Sequence, residues 1–151
     1  SDVFVRVGGR TNGQVRIALE VNSDNVILDD CWIWRADHGA GAGWTSNLAE
    51  YGLVVNGSNV TATGLMVEHF QRNQVVWNGE LGTTVYYQSE FPYDVPAQAE
   101  WMDGESNGHP SYVVAPGVKS HRATGLAIYG LFDPAFGTRQ TSKQKGRRNV
   151  S

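Results

Sequence analysis

Leu19-Glu20-Val21-Asn22-Ser23-Asp24-Asn25-Val26 returns as Leu53-Val54-Val55-Asn56-Gly57-Ser58-Asn59-Val60, an offset of 34 residues. In each copy an apolar, β-branched run predicts a strand. Asn and Gly then turn the chain, because both tolerate left-handed backbone angles. A second alternating segment follows at once. Two short strands joined by an Asn-rich corner and then repeated describe a solenoid, in which each unit buries its apolar face only by stacking on the next. An antiparallel sandwich of two similar hairpins is the alternative reading of the same pattern.

The shift carries Cys31 and Ile33 onto Leu65 and Val67, so inward apolar positions superimpose. It also carries Asp30, Trp34 and Arg35 onto Gly64, Glu68 and His69. A third copy is expected from Thr84 to Phe91, trailing the second by 24, and a further rung from Ser120 to Tyr129.

Composition agrees with an all-β fold. The chain has 151 residues, enough for one core, with 18 Gly, 16 aromatic residues and 18% charged residues, which favours short strands and tight turns over long helices. One domain of rungs over residues 1–136 is expected. Residues 137–151 form a basic tail, with Arg139, Lys143, Lys145, Arg147 and Arg148 and almost no apolar content, and are expected to be disordered.

A net charge of −3 argues against a nucleic-acid partner, and no apolar run is long enough for a membrane-crossing helix. Cys31, the lone cysteine, falls on an inward-facing position and reads as a small buried hydrophobe.

The chemistry concentrates in two segments. In Asp29-Asp30-Cys31-Trp32-Ile33-Trp34-Arg35-Ala36-Asp37-His38, strand alternation puts Trp32 and Trp34 on the outer face, together with one of the adjacent aspartates and Asp37 beyond the strand's end. Carboxylates beside indole rings suit a sugar-binding cleft, since the apolar face of a pyranose stacks on an aromatic ring while acids meet its hydroxyls. In Leu65-Met66-Val67-Glu68-His69-Phe70, Glu68 lies one rung from Trp34. With rungs ~4.8 Å apart, carboxylates one or two rungs apart fall in the range that glycoside hydrolysis uses.

Asp30, Asp37, Glu68 and Glu90 are therefore the candidate catalytic acids, one of them expected to have a pKa raised by the indoles. Trp34, Trp44, Trp77 and Tyr93 are candidate sugar platforms, with Arg35, His38 and His69 as further substrate contacts. The glycine-rich residues 39–47 lack the Gly-Lys-Ser/Thr ending of a phosphate loop and read as an insertion holding Trp44 over the Trp34 face.

No cofactor is expected, because His38, His69, His109 and His121 share no tight ligand spacing. Were a metal held, Asp37-His38 with Glu68-His69 would be the histidine-bound set, and Asp29 with Asp30 the calcium set.

At Trp32-Ile33-Trp34-Arg35-Ala36-Asp37-His38-Gly39, Gly52-Leu53-Val54-Val55-Asn56-Gly57, Val67-Glu68-His69-Phe70, Trp77-Asn78-Gly79 and Pro92-Tyr93-Asp94, the sequence resembles large secreted bacterial and fungal proteins labelled coagulation factor 5/8 type domain proteins. These look like right-handed parallel β-helices of the pectin-lyase-like class. The similarity runs from about Val3 to Phe132. It implies a parallel β-helix, an extracellular polysaccharide as partner, and glycoside hydrolase activity on a glucan. A non-catalytic carbohydrate-binding or structural solenoid is the alternative. No catalytic residue is carried over from the family, so the four acids rest on this chain alone. Such proteins are several times longer, so the chain is expected to be a fragment of a longer helix, with exposed edges that invite homo-oligomers.

Overall fold

The computed structural model describes residues 2–131. The basic tail and residues 132–136 of the expected rung domain lie outside them. Within them the chain passes back and forth between two parallel sheets. It enters through β1 (Val3–Val7), crosses to β2 (Gly13–Val21), returns through β3 (Ile27–Asp29) and β4 (Cys31–Arg35), and crosses again to β5 (Asn47–Val55). Then come β6 (Thr61–Glu68), β7 (Val75–Trp77) and β8 (Gly82–Glu90). A single 3₁₀ turn, Gln98–Glu100, and a small antiparallel hairpin, β9 (Met102–Asp103) with β10 (Ser106–Asn107), interrupt the alternation. The chain resumes through β11 (Tyr112–Val114) and β12 (His121–Tyr129).

The first sheet has the order β1-β4-β6-β8-β12, with β3 beside β6, and the second has β2-β5-β7-β11. Every pairing in both sheets is parallel. This excludes the antiparallel sandwich.

The 34-residue offset is the actual register: Leu19 pairs with Leu53, Val21 with Val55, and Trp34 with Glu68. The next coil is shorter than expected, since Thr61 pairs with Thr83 and Met66 with Gln88, an offset of 22 rather than 24. It has no counterpart of the glycine-rich excursion, and its strand in the second sheet, β7, has only three residues. Because 22 and 24 differ by one full alternation, the faces are preserved. The partners change, and Glu90 falls beside Glu68 instead of Met66.

Two devices hold the coils in register. Asparagines stack at the corners: Asn56 Nδ2 donates to Asn22 Oδ1 at 2.7 Å, Asn78 Nδ2 to Asn56 Oδ1 at 2.8 Å, and Asn59 Nδ2 to Asn25 Oδ1 at 2.7 Å. Left-handed residues recur at the bends, Asn25 above Asn59 (φ 59° and 54°) and Asp30, Gly64, Tyr86 and Gly125 along the first sheet (φ 48°, 61°, 58° and 71°). At Gly64 a side chain would strike the Asp30 carboxylate, with a Cβ 2.2 Å from Oδ1.

Between the sheets lie Val7, Val21, Cys31, Ile33, Leu53, Val55, Leu65, Val67, Phe70, Val75, Trp77 and Tyr87, all buried. Trp77 is therefore not a sugar platform. It shares the inward parity of Val75 on β7 and is fully enclosed.

Arg35 is likewise corrected. It alternates inward with Cys31 and Ile33 and is fully buried. Its guanidinium donates two bonds to Asp94, at 3.0 Å and 2.7 Å, and others to the carbonyls of Asn47 (2.6 Å), His69 (3.0 Å) and Gly43 (3.3 Å). Trp44 packs on this guanidinium, 5.3 Å from its ring centre, and so belongs to the inward side rather than overhanging Trp34.

One cation thus ties β4 to the glycine-rich loop, the end of β6 and the loop carrying Asp94. Arg35→Met should lower the unfolding free energy by ~3–5 kcal/mol, because Asp94 would be left as an unpaired buried charge. Chemical denaturation compared with the unsubstituted protein measures this.

Candidate active site

Alternation along the first sheet sends Arg6, Trp34 and Glu68 outward on successive coils. Glu90, paired in turn with Tyr129, continues the column. The parallel column beside it holds Phe4, Trp32, Met66 and Gln88. The indoles are fixed from both sides. The Arg6 guanidinium lies 4.9 Å from the Trp34 ring centre, and Phe4 packs on Trp32 at 4.8 Å. Trp32 Nε1 donates to Glu68 Oε2 at 2.9 Å, so a residue absent from the expected set orients the buried Glu68 carboxylate.

His69 would point inward by strict alternation, in the register position of Arg35. Its backbone is left-handed at φ 68°, which turns the imidazole onto the outer face. There Nδ1 lies 2.5 Å from Asp37 Oδ1 and Nε2 lies 3.2 Å from Glu90 Oε2. Trp34 Nε1 also sits 3.3 Å from Nδ1. That nitrogen carries the proton shared with Asp37, so the indole touches it without a hydrogen bond.

Asp37 is buried and collects two further donors, His38 Nδ1 at 2.6 Å and the Tyr93 amide at 2.8 Å. The Tyr93 hydroxyl donates to the same Glu90 oxygen that faces His69, and its ring lies 4.5 Å from the imidazole.

The electrostatics follow from these contacts. Burial alone would raise Asp37, but the hydrogen bond and charge of His69, with the Tyr93 amide and His38, hold it below the usual carboxylate value. Burial would lower His69, and Asp37, Glu90 and Glu68 overcome this and raise it. Glu90 is held down, against burial, by Tyr93 and His69. Burial and the Glu90 charge push Tyr93 upward, keeping the phenol a donor. The expectation of a raised acid is thus reversed for Asp37 and Glu90. The indoles lie next to these groups, but an imidazole between two carboxylates dominates.

The structure brings together Trp34, Asp37, His38, Glu68, His69, Glu90 and Tyr93. It does not bring Asp30 to them. That residue is exposed at the bend between β3 and β4, beside Gly64. Its neighbour Asp29 accepts a hydrogen bond from Thr63 Oγ1 at 2.7 Å. Asp37, His38 and His69 offer ligand atoms within 4.8 Å of one another and would be the residues to hold a metal. The two imidazole protons shared with one Asp37 oxygen account for this spacing by hydrogen bonding alone.

An all-β chain with two parallel sheets and an acid-lined, aromatic outer face belongs among the pectate-lyase-like proteins. Residues 1–90 match the LAM55 pectate lyase-like domain, and the chain belongs to that family. It is 47% identical over 132 residues to an exo-beta-1,3-glucanase of Streptomyces sp. (strain SirexAA-E / ActE), covering 87% of this chain and 22% of that protein. It also resembles the solved structure of sacteLam55A from Streptomyces sp. SirexAA-E, with 46% identity and a TM-score of 0.83 over 86% of this chain and 24% of that one. A glutamate-to-alanine variant of sacteLam55A in complex with glucose matches at 45% identity with the same TM-score and coverage. The chain thus spans about a fifth to a quarter of the relatives it matches. The pectate-lyase-like part of the resemblance is borne out.

Opposite shifts on one pair define a pH window. Asp37, lowered from 3.8, contributes stability above that value and loses it as pH falls through its folded pKa. His69, raised from 6.5, contributes below 6.5 and loses it as pH rises through its folded pKa. Stability from the pair should therefore be greatest between about pH 4 and 6.5. NMR titration should find the His69 imidazole titrating above 6.5, and His69→Gln should flatten the alkaline limb of thermal stability against pH.

Proposed function

We propose that this chain is part of a glycoside hydrolase that cleaves β-1,3-glucan, and that its stacked coils form a segment of a right-handed parallel β-helix. The observation that carries the reading is the adjacency of Glu68 and Glu90 on neighbouring coils beside Trp34, in a chain 47% identical to an exo-beta-1,3-glucanase. Coils ~4.8 Å apart set the two glutamates on adjacent rungs of one face, and a pair of carboxyl groups flanking the bond is what this chemistry uses.

Glu68 is the candidate proton donor. It is buried, and Trp32 fixes one of its oxygens. Once it has taken up a proton in the substrate-bound state, it passes that proton to the glycosidic oxygen as the bond to the anomeric carbon breaks and the electron pair leaves with the departing sugar. Glu90, kept ionised by Tyr93 and His69, stabilises the positive charge that develops on the ring and takes a proton from the water that completes hydrolysis. Asp37 touches no substrate in this scheme. It holds the imidazole of His69, which in turn aims Glu90. Trp34 supplies the apolar surface under the sugar. The proposal includes a location outside the cell, where polymeric glucan is met.

The test is sugar release from β-1,3-glucan, with β-1,4-glucan as control. Glu68→Gln should lower kcat by roughly 10²–10⁴-fold and leave glucan binding in place. Parent protein that cleaves no β-1,3-glucan, or a Glu68→Gln variant as fast as the parent, would overturn the catalytic reading. Binding lost on Trp34→Ala but indifferent to Glu68→Gln, without turnover, would assign the chain a carbohydrate-binding role instead.

A further inference from the structure

Tyr86 occupies an improbable backbone. In the column of left-handed bends along the first sheet, the other coils place Asp30, Gly64 and Gly125, residue types that tolerate positive φ. A tyrosine with φ 58° is strained there, and the ring regains little by burial, since the residue is 73% exposed. The ring lies over the bare backbone of the next coil, where a Cβ on Gly125 would come within 3.2 Å of the Tyr86 ring. Glycine thus provides the seat on which the ring is fixed.

Tyr86 also forms a wall of an open hollow of about 400 Å³, with Asp30, Met66, Gln88, Ala127 and Tyr129 among the other lining residues. The hollow borders the candidate active site along the strand. Gln88 Nε2 donates to Glu90 Oε1 at 3.4 Å, and Tyr129 is the register partner of Glu90. From Glu90 to Gln88 is two residues of strand, ~7 Å, so a sugar in the hollow neighbours one held at Glu68 and Glu90.

We infer that this hollow binds the next glucosyl unit of the chain being cut, with Tyr86 as its stacking platform and the Asp30 carboxylate, exposed at the far end, accepting from its hydroxyls. Asp30 thereby becomes a binding rather than a catalytic residue. The inference rests on the glucan reading of this sheet face. It adds chain-length preference, because a disaccharide need not fill the hollow while a longer oligomer must.

The experiment measures affinity by calorimetric titration for the β-1,3-linked disaccharide and for longer oligomers of the same linkage. Tyr86→Ala should reduce the preference for long oligomer over disaccharide by roughly tenfold, the size of one aromatic–sugar contact. Tyr86→Phe should retain it. Tyr86→Gly should lose the preference equally while unfolding at the same or a higher temperature, since glycine relieves the left-handed backbone. An unchanged preference in Tyr86→Ala, or a glycine variant that unfolds earlier, overturns the inference and makes Tyr86 a structural residue. Length-dependent binding that needs Tyr86 in a protein without glucanase activity would support the subsite and sink the hydrolase reading alone.

Discussion

In-register stacking of parallel coils is the constraint on which everything else in this molecule depends. A strand that adds to a parallel ladder must turn where its neighbour turns, or its inward and outward faces exchange. The chain meets this demand with side-chain amides that bond coil to coil, Asn22 to Asn56 to Asn78, and with recurrent left-handed residues at the bends. Once the corners coincide, the outer face needs no separate design. Groups far apart in sequence, Trp34, Glu68 and Glu90, become neighbours at the spacing of the ladder.

The interior and the reactive face are coupled through one strand. In β4, alternation sends Trp34 out and Arg35 in, so the same five residues supply a wall of the cleft and the buried cation beneath it. Asp94, which neutralises that cation, directly follows Tyr93, and anchoring Asp94 delivers the Tyr93 amide to Asp37 and its hydroxyl to Glu90. Arg35 also takes the carbonyl of His69, fixing the backbone whose left-handed angle throws the imidazole outward. A salt bridge inside the protein therefore sets the positions of three groups outside it.

Legibility in the sequence followed the regularity of the coils. The 34-residue register is readable because five of eight consecutive positions recur, both corner asparagines among them, and with it comes the adjacency of Trp34 and Glu68. The third coil is misplaced by two residues because it is shortened and its corner keeps only Asn78-Gly79, although that pair repeats Asn56-Gly57 at the true offset. Arg35 and Trp77 were read by chemical type, charge and aromaticity, although the parity of Cys31, Ile33 and Val75 already turned both inward. Parity already places Trp32 on the outer face with Trp34, but nothing in the sequence pairs its indole with Glu68 rather than with a sugar. The pairing of Arg35 with Asp94, 59 residues apart, and the outward turn of His69 had no sequence signal, since each depends on loop geometry that no local pattern encodes.

The charge distribution of the site bears on the chemistry it suits. Three carboxyl groups, Asp37, Glu68 and Glu90, surround His69, and the shifts of Asp37 and His69 describe a carboxylate and an imidazolium that stabilise each other. That pair is internally neutral, so Glu90 contributes a net negative field toward the open face, where Tyr93 and His69 keep it ionised. A neutral sugar entering the cleft requires no countercharge, yet the oxocarbenium-like state through which it is cleaved carries positive charge. Prearranged negative potential at that point favours the transition state over the ground state, which is the condition for acceleration rather than mere binding. An anionic substrate would meet the same field as repulsion, so on the proposed glucan reading this arrangement would also select against acidic polysaccharides.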